Sequence, residues 1–358
     1  MAIAFHPLTV ADVRRETPDA VSIAFAVPPA LASDYRFTPG QHLTLRTTAR
    51  DGAELRRSYS ICTALGDDEL RIAVKRVAGG AFSVVANETI RPGDTIDVMT
   101  PQGRFGATPA GARSCLAVVA GSGITPVMSI LKTVLAREPE SRFVLVYGNR
   151  NVSGILFKDA LDDLKDRHLD RLVVHHVLSR EPQEVPLLSG RIDGDKLSAL
   201  VRVSMPVAGI DHAFLCGPGA LIAESRAALE RLGVAPERIH VEYFSTDGLP
   251  VEPRAAPPAE AAAEQPAAHA AITLHGARHE IAVLAGETIV DAGLRAGLEM
   301  PYSCRGGMCC TCRAMVTEGA VRMDQNYSLE AWETEAGYVL TCQAHPTTPR
   351  IALDYDQV

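Results

Sequence analysis

The chain has 358 residues, 47% of them hydrophobic, and a formal net charge of −8 at pH 7. That length exceeds one ordinary core and calls for two or three domains, while the acidic balance argues against nucleic acid or an anionic membrane surface as partners. No apolar run approaches transmembrane length, and Met1 to Val10 lack a basic stretch followed by an apolar one, so the expectation is a cytoplasmic protein with reduced thiols.

Residues 1–108 read as short strands joined by turns. Val21 to Val27 and Leu70 to Val77 alternate at period two, and Pro39-Gly40 and Arg91-Pro92-Gly93-Asp94 are turn signals. Regular strands without long helices predict an antiparallel β-barrel. Two stretches in it bear chemistry. Arg57-Ser58-Tyr59-Ser60 offers a cation for phosphate, an aromatic plate for a planar ring and two hydroxyls; the bland alternative is an ordinary strand edge. Gly79-Gly80-Ala81-Phe82-Ser83 opens a short helix whose free N–H groups suit a phosphate; the alternative is a plain strand-to-helix turn.

Residues 109–246 change to strand–helix alternation. Cys115 to Ala120 is continuously apolar, as for a strand buried on both faces. Further strands fall at Phe143 to Tyr147, Arg171 to Leu178, His212 to Cys216 and Ile239 to Tyr243, which predicts an α/β doubly wound parallel sheet. Ligands of such sheets sit beyond the carboxyl ends of the strands. Gly121-Ser122-Gly123-Ile124-Thr125-Pro126 and Cys216-Gly217-Pro218-Gly219 fall there. The first is a G-x-G-x-x-P loop that lacks the third glycine of the usual dinucleotide fingerprint. A ribose 2′-OH is normally read by a carboxylate after the second strand, and a 2′-phosphate by arginine. Here Arg150, Ser179-Arg180 and Arg191 stand at that rim with no acid at the end of the second strand, which favours NADPH over a merely solvated arginine face.

Residues 247–270 are rich in Pro, Ala and Glu and read as an extended linker. Residues 271–358 form a compact module with a hairpin over Ile272–Leu274 and Glu280–Val283, a helix Thr288–Ala296 and a strand Arg313–Thr317. Trp332 and Tyr338 are expected to pack its small core. Cys304, Cys309 and Cys312 have C-x4-C-x2-C spacing, completed by Cys342, as in plant-type [2Fe–2S] sites. Gly306 and Gly307 let such a loop curl and bring N–H groups to sulfur. Structural zinc is the competing reading, although zinc sites usually add a second close Cys or His pair. A disulfide framework suits an oxidising compartment that nothing here suggests. Cys310 reads as a small filler, since the frame is complete without it. His175, His176, His275, His279 and His345 read as structural.

Taken in this order, Arg57–Ser60, Gly79–Ser83, Gly121–Pro126 and Cys216–Pro218 resemble the ferredoxin–NADP⁺ reductase superfamily, and the fused cysteine module narrows the resemblance to oxygenase reductases. Tyr35-Arg36-Phe37, Pro39 to Leu45, Glu54 to Arg57, Val98-Met99, Pro101-Gln102-Gly103 and Asn326 to Glu330 extend it over nearly the whole chain except the linker. The resemblance implies an FAD-binding barrel (1–108), an NADP-binding α/β domain (109–246) and an α+β, β-grasp-like ferredoxin domain (271–358). It implies that Arg57, Ser58, Tyr59 and Ser60 hold the isoalloxazine and that Gly79, Gly80, Phe82 and Ser83 hold the pyrophosphate. Gly121, Gly123, Thr125, Pro126 and Gly217 would cradle the nicotinamide nucleotide, and Arg150, Ser179, Arg180 and Arg191 its 2′-phosphate. Cys216 would lie beside the nicotinamide, with Phe244 covering the flavin, so Ser60, Cys216 and Phe244 flank the reacting centre. Cys304, Cys309, Cys312 and Cys342 would ligate the cluster. The implied activity passes electrons from NADPH to FAD, to the cluster, and on to a di-iron oxygenase component that epoxidises the ring of phenylacetyl-CoA. The alternatives are the same chain of carriers serving another oxygenase or a hybrid-cluster protein, and, from a different class, an iron–sulfur redox sensor.

Overall fold

The computed structural model describes residues 3–48, 52, 54–106, 113–244 and 266–357. Residues 5–244 and 266–357 fall in separate compact units.

The first unit begins with an antiparallel barrel. Its strands are β1 (Phe5–Thr17), β2 (Ala20–Ala26), β3 (His42–Thr48), β4 (Glu54–Ser60), β5 (Leu70–Lys75) and, after helix α1 (Ala81–Glu88), β6 (Thr95–Met99). The order is β4-β3-β6-β1-β2-β5. An isolated antiparallel bridge from Ile61, just past β4, to Ile72 of β5 joins the two ends, which removes the exposed edges an open sheet would leave. Irregularities at Val10/Asp12 and Arg15/Thr17 bend the long β1, as bulges do. Leu8, Ile23, Leu43, Leu45, Ile61, Ile72 and Val98 fill the interior at 0% exposure, and Phe82 and Ala86 of α1 pack onto them.

The chain then enters a five-stranded parallel sheet. It comprises β7 (Ser114–Ala120), α2 (Ile124–Arg137), β8 (Arg142–Asn149), α3 (Lys158–Arg167), β9 (Leu172–Leu178), α4 (Gly194–Ser204), β10 (His212–Gly217), α5 (Gly219–Arg231) and β11 (Ile239–Tyr243). The order β11-β10-β7-β8-β9 reverses between β7 and β10, which is the topological switch point of a doubly wound sheet. Separate apolar clusters cover the two faces, so the strands carry apolar runs instead of alternation. The sequence reading did not foresee α4. Its signals are short: Asp193 caps it by accepting from the Lys196 N–H, and Leu197, Leu200 and Val201 form its buried stripe.

The second unit holds β12 (Ala268–Leu274), β13 (Ala277–Val283), α6 (Ile289–Arg295), β14 (Arg313–Glu318), β15 (Val321–Met323), α7 (Ala331–Glu335), β16 (Tyr338–Leu340), β17 (Ala344–Pro346) and β18 (Arg350–Asp354). The main sheet is ordered β13-β12-β18-β14-β16, with β12 and β18 parallel. The hairpin is longer than its apolar residues suggested, because His275 and Gly276 at its turn both take positive φ, the geometry of a two-residue turn. β12 begins at Ala268, inside the stretch read as linker; residues 247–265 lie outside the described residues. The Thr288 hydroxyl accepts from the Asp291 N–H and caps α6. Trp332 corrects an expectation: it is 49% exposed, because α7 turns its first-turn acid Glu333 inward instead. Tyr338 is half-buried and packs against the core.

Candidate functional site

Two clusters of chemically competent side chains emerge, one in each unit. In the first, β7 is buried on both faces and must turn sharply into α2. Gly121 makes the turn at φ +55, a region costly for any side chain. Gly123 presses on β10, where a Cβ would come 2.2 Å from the Cys216 carbonyl oxygen. Fully buried Tyr147 pins the loop from below; its hydroxyl donates to Gly121 O at 3.0 Å and accepts from the Leu156 N–H at 3.2 Å. The Thr125 hydroxyl donates to Ser122 O at 3.0 Å, so it braces the loop itself. The first turn of α2 carries no acid and no side-chain cap, which leaves its positive end available to an anion.

At the neighbouring strand ends, Cys216 of β10 pairs in register with Glu242 of β11. Cys216 is fully buried, and burial raises its thiol pKa well above the usual range, with the Glu242 charge adding to this. The barrel contributes Ser60, whose hydroxyl donates to a Glu242 carboxylate oxygen at 3.4 Å. Burial lifts Glu242 to about 8, against the smaller opposing effect of that hydrogen bond. Ser60, Cys216 and Glu242 therefore meet at one point. The sequence reading missed Glu242. The available signal was an acid two residues before Phe244, at the carboxyl end of a parallel strand. Phe244 follows β11 and leaves its ring 43% exposed.

Within the barrel, β4 places Ser60 opposite His42 and Tyr59 opposite Leu43. Tyr59 leans on Phe82 of α1, ring centres 5.3 Å apart, and burial raises its pKa. The Ser58 hydroxyl shares a 3.0 Å hydrogen bond with Thr44. Arg57 is exposed, held by a 2.7 Å bond to its neighbour's carbonyl. Gly79 turns at φ +71 with open space around it. Gly80 has no such room, since a Cβ would lie 2.4 Å from Ser83 Oγ, which accepts from the Val77 N–H. Ser83 thus ties the loop down.

Along the far rim, Arg180 N–H donates to Arg150 O at 2.8 Å and Ser179 N–H to Asn149 O at 2.9 Å. Ser189 bridges to Leu178 and brings Arg191 to the same edge. Arg150, Ser179, Arg180 and Arg191 are all exposed. The adjacent acid, Glu181, is engaged by the Val152 N–H. Among the described residues no carboxylate pairs with Arg150, Arg180 or Arg191.

In the second unit the thiols meet as two pairs. Cys309 donates to Cys304, and this bond, helped by backbone N–H groups, lowers Cys304. Cys312 donates to Cys342, and that bond likewise lowers Cys342. Among the described residues no three Cys, His, Asp or Glu side chains gather on one point. Four sulfurs in two pairs match a cluster with two irons, each needing two protein thiolates. The Gly306 N–H donates to Cys304 Sγ at 3.3 Å, but Gly306 does not take positive φ. Gly307, Arg305 and Cys310 do. At Gly307 a Cβ would sit 2.9 Å from Gln325 O. Cys310 turns away, donating to Ser328 Oγ at 3.0 Å, and burial pushes its thiol up to about 12. Directly after Cys312, buried Arg313 faces Glu333 of α7 at 2.9 Å and lies 3.3 Å from the centre of the Tyr338 ring. The sequence reading missed this pair as well.

Three family models match the chain: an oxidoreductase FAD-binding domain over residues 7–106, an oxidoreductase NAD-binding domain over 118–227, and a 2Fe-2S iron-sulfur cluster binding domain over 272–347. Fold and sites together define a flavin- and nicotinamide-dependent reductase carrying its own [2Fe–2S] ferredoxin domain. The chain is 46% identical over 355 residues to one of the subunits of the 1,2-phenylacetyl-CoA epoxidase of Escherichia coli (strain K12), covering 98% of each. It is 37% identical to the ferredoxin reductase component of 3-ketosteroid-9-alpha-monooxygenase of Mycolicibacterium smegmatis, covering 98% of this chain and 97% of that one. The structure of phthalate dioxygenase reductase shares the fold, with TM-score 0.60, 24% identity and 98% of each chain covered. This chain belongs to that family of oxygenase reductase components. It is an oxidoreductase that carries electrons from NAD(P)H through FAD and a [2Fe–2S] cluster to an oxygenase component. Among the described residues no helix is long and apolar enough to cross a membrane.

Proposed function

We propose that this reductase takes its electrons from NADPH in the cytoplasm and delivers them to a di-iron oxygenase that epoxidises the ring of phenylacetyl-CoA. The acceptor rests on one observation, the 46% identity over 98% of both chains with a protein named for that reaction. The preference for NADPH rests on three exposed arginines at the rim of β8 and β9, none paired with a carboxylate among the described residues.

Bound FAD and the bound cluster supply the conversion of a hydride into single electrons. The chain supplies binding, orientation and burial. Arg57, Ser58, Tyr59 and Ser60 hold the flavin ring, and the loop of Gly79, Gly80, Phe82 and Ser83 holds its pyrophosphate. Gly121, Gly123, Thr125, Pro126 and Gly217 leave room for the nicotinamide nucleotide, while Arg150, Ser179, Arg180 and Arg191 grip the 2′-phosphate. Cys216 and Phe244 flank the nicotinamide. Glu242, protonated up to about pH 8, keeps a proton beside the Ser60 hydroxyl. Cys304, Cys309, Cys312 and Cys342 would hold the cluster.

The test is an anaerobic titration with NADPH and with NADH, read by visible absorbance and EPR, followed by product formation from phenylacetyl-CoA with the oxygenase component. Replacing both Arg180 and Arg191 by Ala is expected to raise the KM for NADPH at least tenfold and to leave NADH nearly unchanged, since each lost charge-assisted contact to phosphate is worth ~1.5–3 kcal/mol. An equal shift for both nucleotides would overturn the NADPH assignment, and absent epoxide with a fully reduced cluster would overturn the acceptor.

A further inference from the structure

One aromatic group near the cluster site has no role in holding it. Trp332 lies on α7, 49% exposed, whereas the other large apolar side chains among the described residues of this domain are at least partly covered. It is not a loose side chain, because the indole N–H donates to Glu330 Oε2 at 2.7 Å. Glu330 and Glu333 form a reciprocal capping box at the start of the same helix. The ring is therefore presented in a set orientation before any partner arrives, which lowers the entropy lost on binding.

The helix and the segment that leads into it are tied to the cysteine loop and to the start of β14 at three points. Buried Glu333 faces Arg313, the residue after Cys312, at 2.9 Å. Ser328 accepts from the Cys310 thiol at 3.0 Å, and the Tyr327 N–H donates to Gly307 O at 3.0 Å. A protein resting on Trp332 thus rests on the wall of the cluster site. Charge narrows the kind of protein. Glu330 precedes the helix and Glu335 lies one turn beyond Trp332 on the same face. Both are exposed, and neither pairs with a Lys or Arg among the described residues. The neighbouring Asp324 is already engaged by Arg322 and His345.

We propose that the exposed face of α7, with Trp332 as its anchor and Glu330 and Glu335 as its acidic frame, is the surface on which the oxygenase component docks to collect electrons. Its complement is an apolar pocket edged by Lys or Arg. Tryptophan is the residue most often found at the energetic centre of protein interfaces, and flanking charges steer encounter.

The experiment compares wild-type, Trp332→Ala and Glu335→Lys full-length holoproteins. The probe is whichever oxygenase component the wild type reduces, so failure of the phenylacetyl-CoA assignment would change the probe and not the comparison. Two rates are read: NADPH-driven reduction of the cluster within the chain, followed by EPR, and steady-state reduction of the oxygenase component over a range of its concentrations. Trp332→Ala is expected to raise the KM for the oxygenase component at least tenfold while the internal rate and the EPR spectrum stay unchanged. Glu335→Lys is expected to raise it several-fold at low salt and by less at high salt. An unchanged KM in Trp332→Ala overturns the proposal. So does a loss confined to internal reduction, which would mean that this face meets the flavin-bearing part of the chain instead.

Discussion

Glu242 offers the most quantitative test of the reacting centre. Its carboxyl stands at about 8 in the fold, against an ordinary 4.5, chiefly because burial disfavours the charge. Each pH unit between those values is worth 1.36 kcal/mol. Full ionisation therefore opposes folding by roughly 5 kcal/mol, of which roughly 3 kcal/mol is already felt at neutral pH. The carboxyl is not wholly shut off from solvent, and hydration trims the effect, so a loss of about 2 kcal/mol is the working expectation. The sign follows from the direction of the shift. Below pH 4.5 the group is protonated in both folded and unfolded chains, and its stabilising contribution is intact. Between 4.5 and about 8 the unfolded chain releases the proton while the folded chain keeps it, so stability falls with rising pH and levels off above 8. Glu242→Gln keeps the shape and removes the titration. Urea unfolding of both holoproteins, followed by flavin fluorescence at several pH values from about 5 to about 9, should show matching stabilities at the acid end. The variant should then become more stable as pH rises. Parallel curves at every pH would refute the burial argument, and a wild type that gains on the variant with pH would mean that the carboxylate is stabilised in its charged form.

Two further outcomes concern the second unit. Cys342→Ser should abolish the rhombic EPR signal of the reduced [2Fe–2S] cluster and most of its visible absorbance, whereas Cys310→Ala should retain both, because the Cys310 thiol is turned toward Ser328; loss of the signal in the Cys310 variant would contradict the four-ligand set. Arg313→Met or Glu333→Gln alone should destabilise the ferredoxin domain by ~3–5 kcal/mol, since each strands a buried charge. The double variant Arg313→Met/Glu333→Gln should lose less than the sum of the two single losses, as judged by the temperature at which cluster absorbance bleaches, and additive losses would refute the pairing.

Much of the architecture was legible before any coordinates. Cys115 to Ala120 shows a doubly buried strand because a parallel sheet covers both faces, and the period-two runs of the barrel mark strands, although β2 and β5 prove to be buried on both faces as well. The glycines at 121 and 123 mark a turn in any reading, but only the sheet order explains why Gly123 must be glycine: β10 returns beside β7 and brings the Cys216 carbonyl against it. α4 escaped notice because three buried residues on eleven give a weak period. Trp332 was misjudged for a general reason. Size and hydrophobicity say that a tryptophan gains from burial, and they do not say whether the burial comes from its own chain or from another protein.

The candidate site divides in the same way. The C-x4-C-x2-C spacing selects a cluster loop because three sulfurs within nine residues can curl round one centre locally. That Cys304 joins Cys309 while Cys312 joins Cys342 depends on β16 delivering the last thiol from thirty residues away. Arginines 150, 180 and 191 could be counted in the sequence, but only the β8–β9 pairing puts them on one rim. Ser60 and Glu242 are 182 residues apart, and nothing local connects them. Spacing, periodicity and turn chemistry are short-range properties that a sequence carries by itself. Which distant groups share a dry pocket, and so shift one another's proton affinity, is decided by tertiary packing, because burial and Coulomb interaction act through space and take no account of separation along the chain.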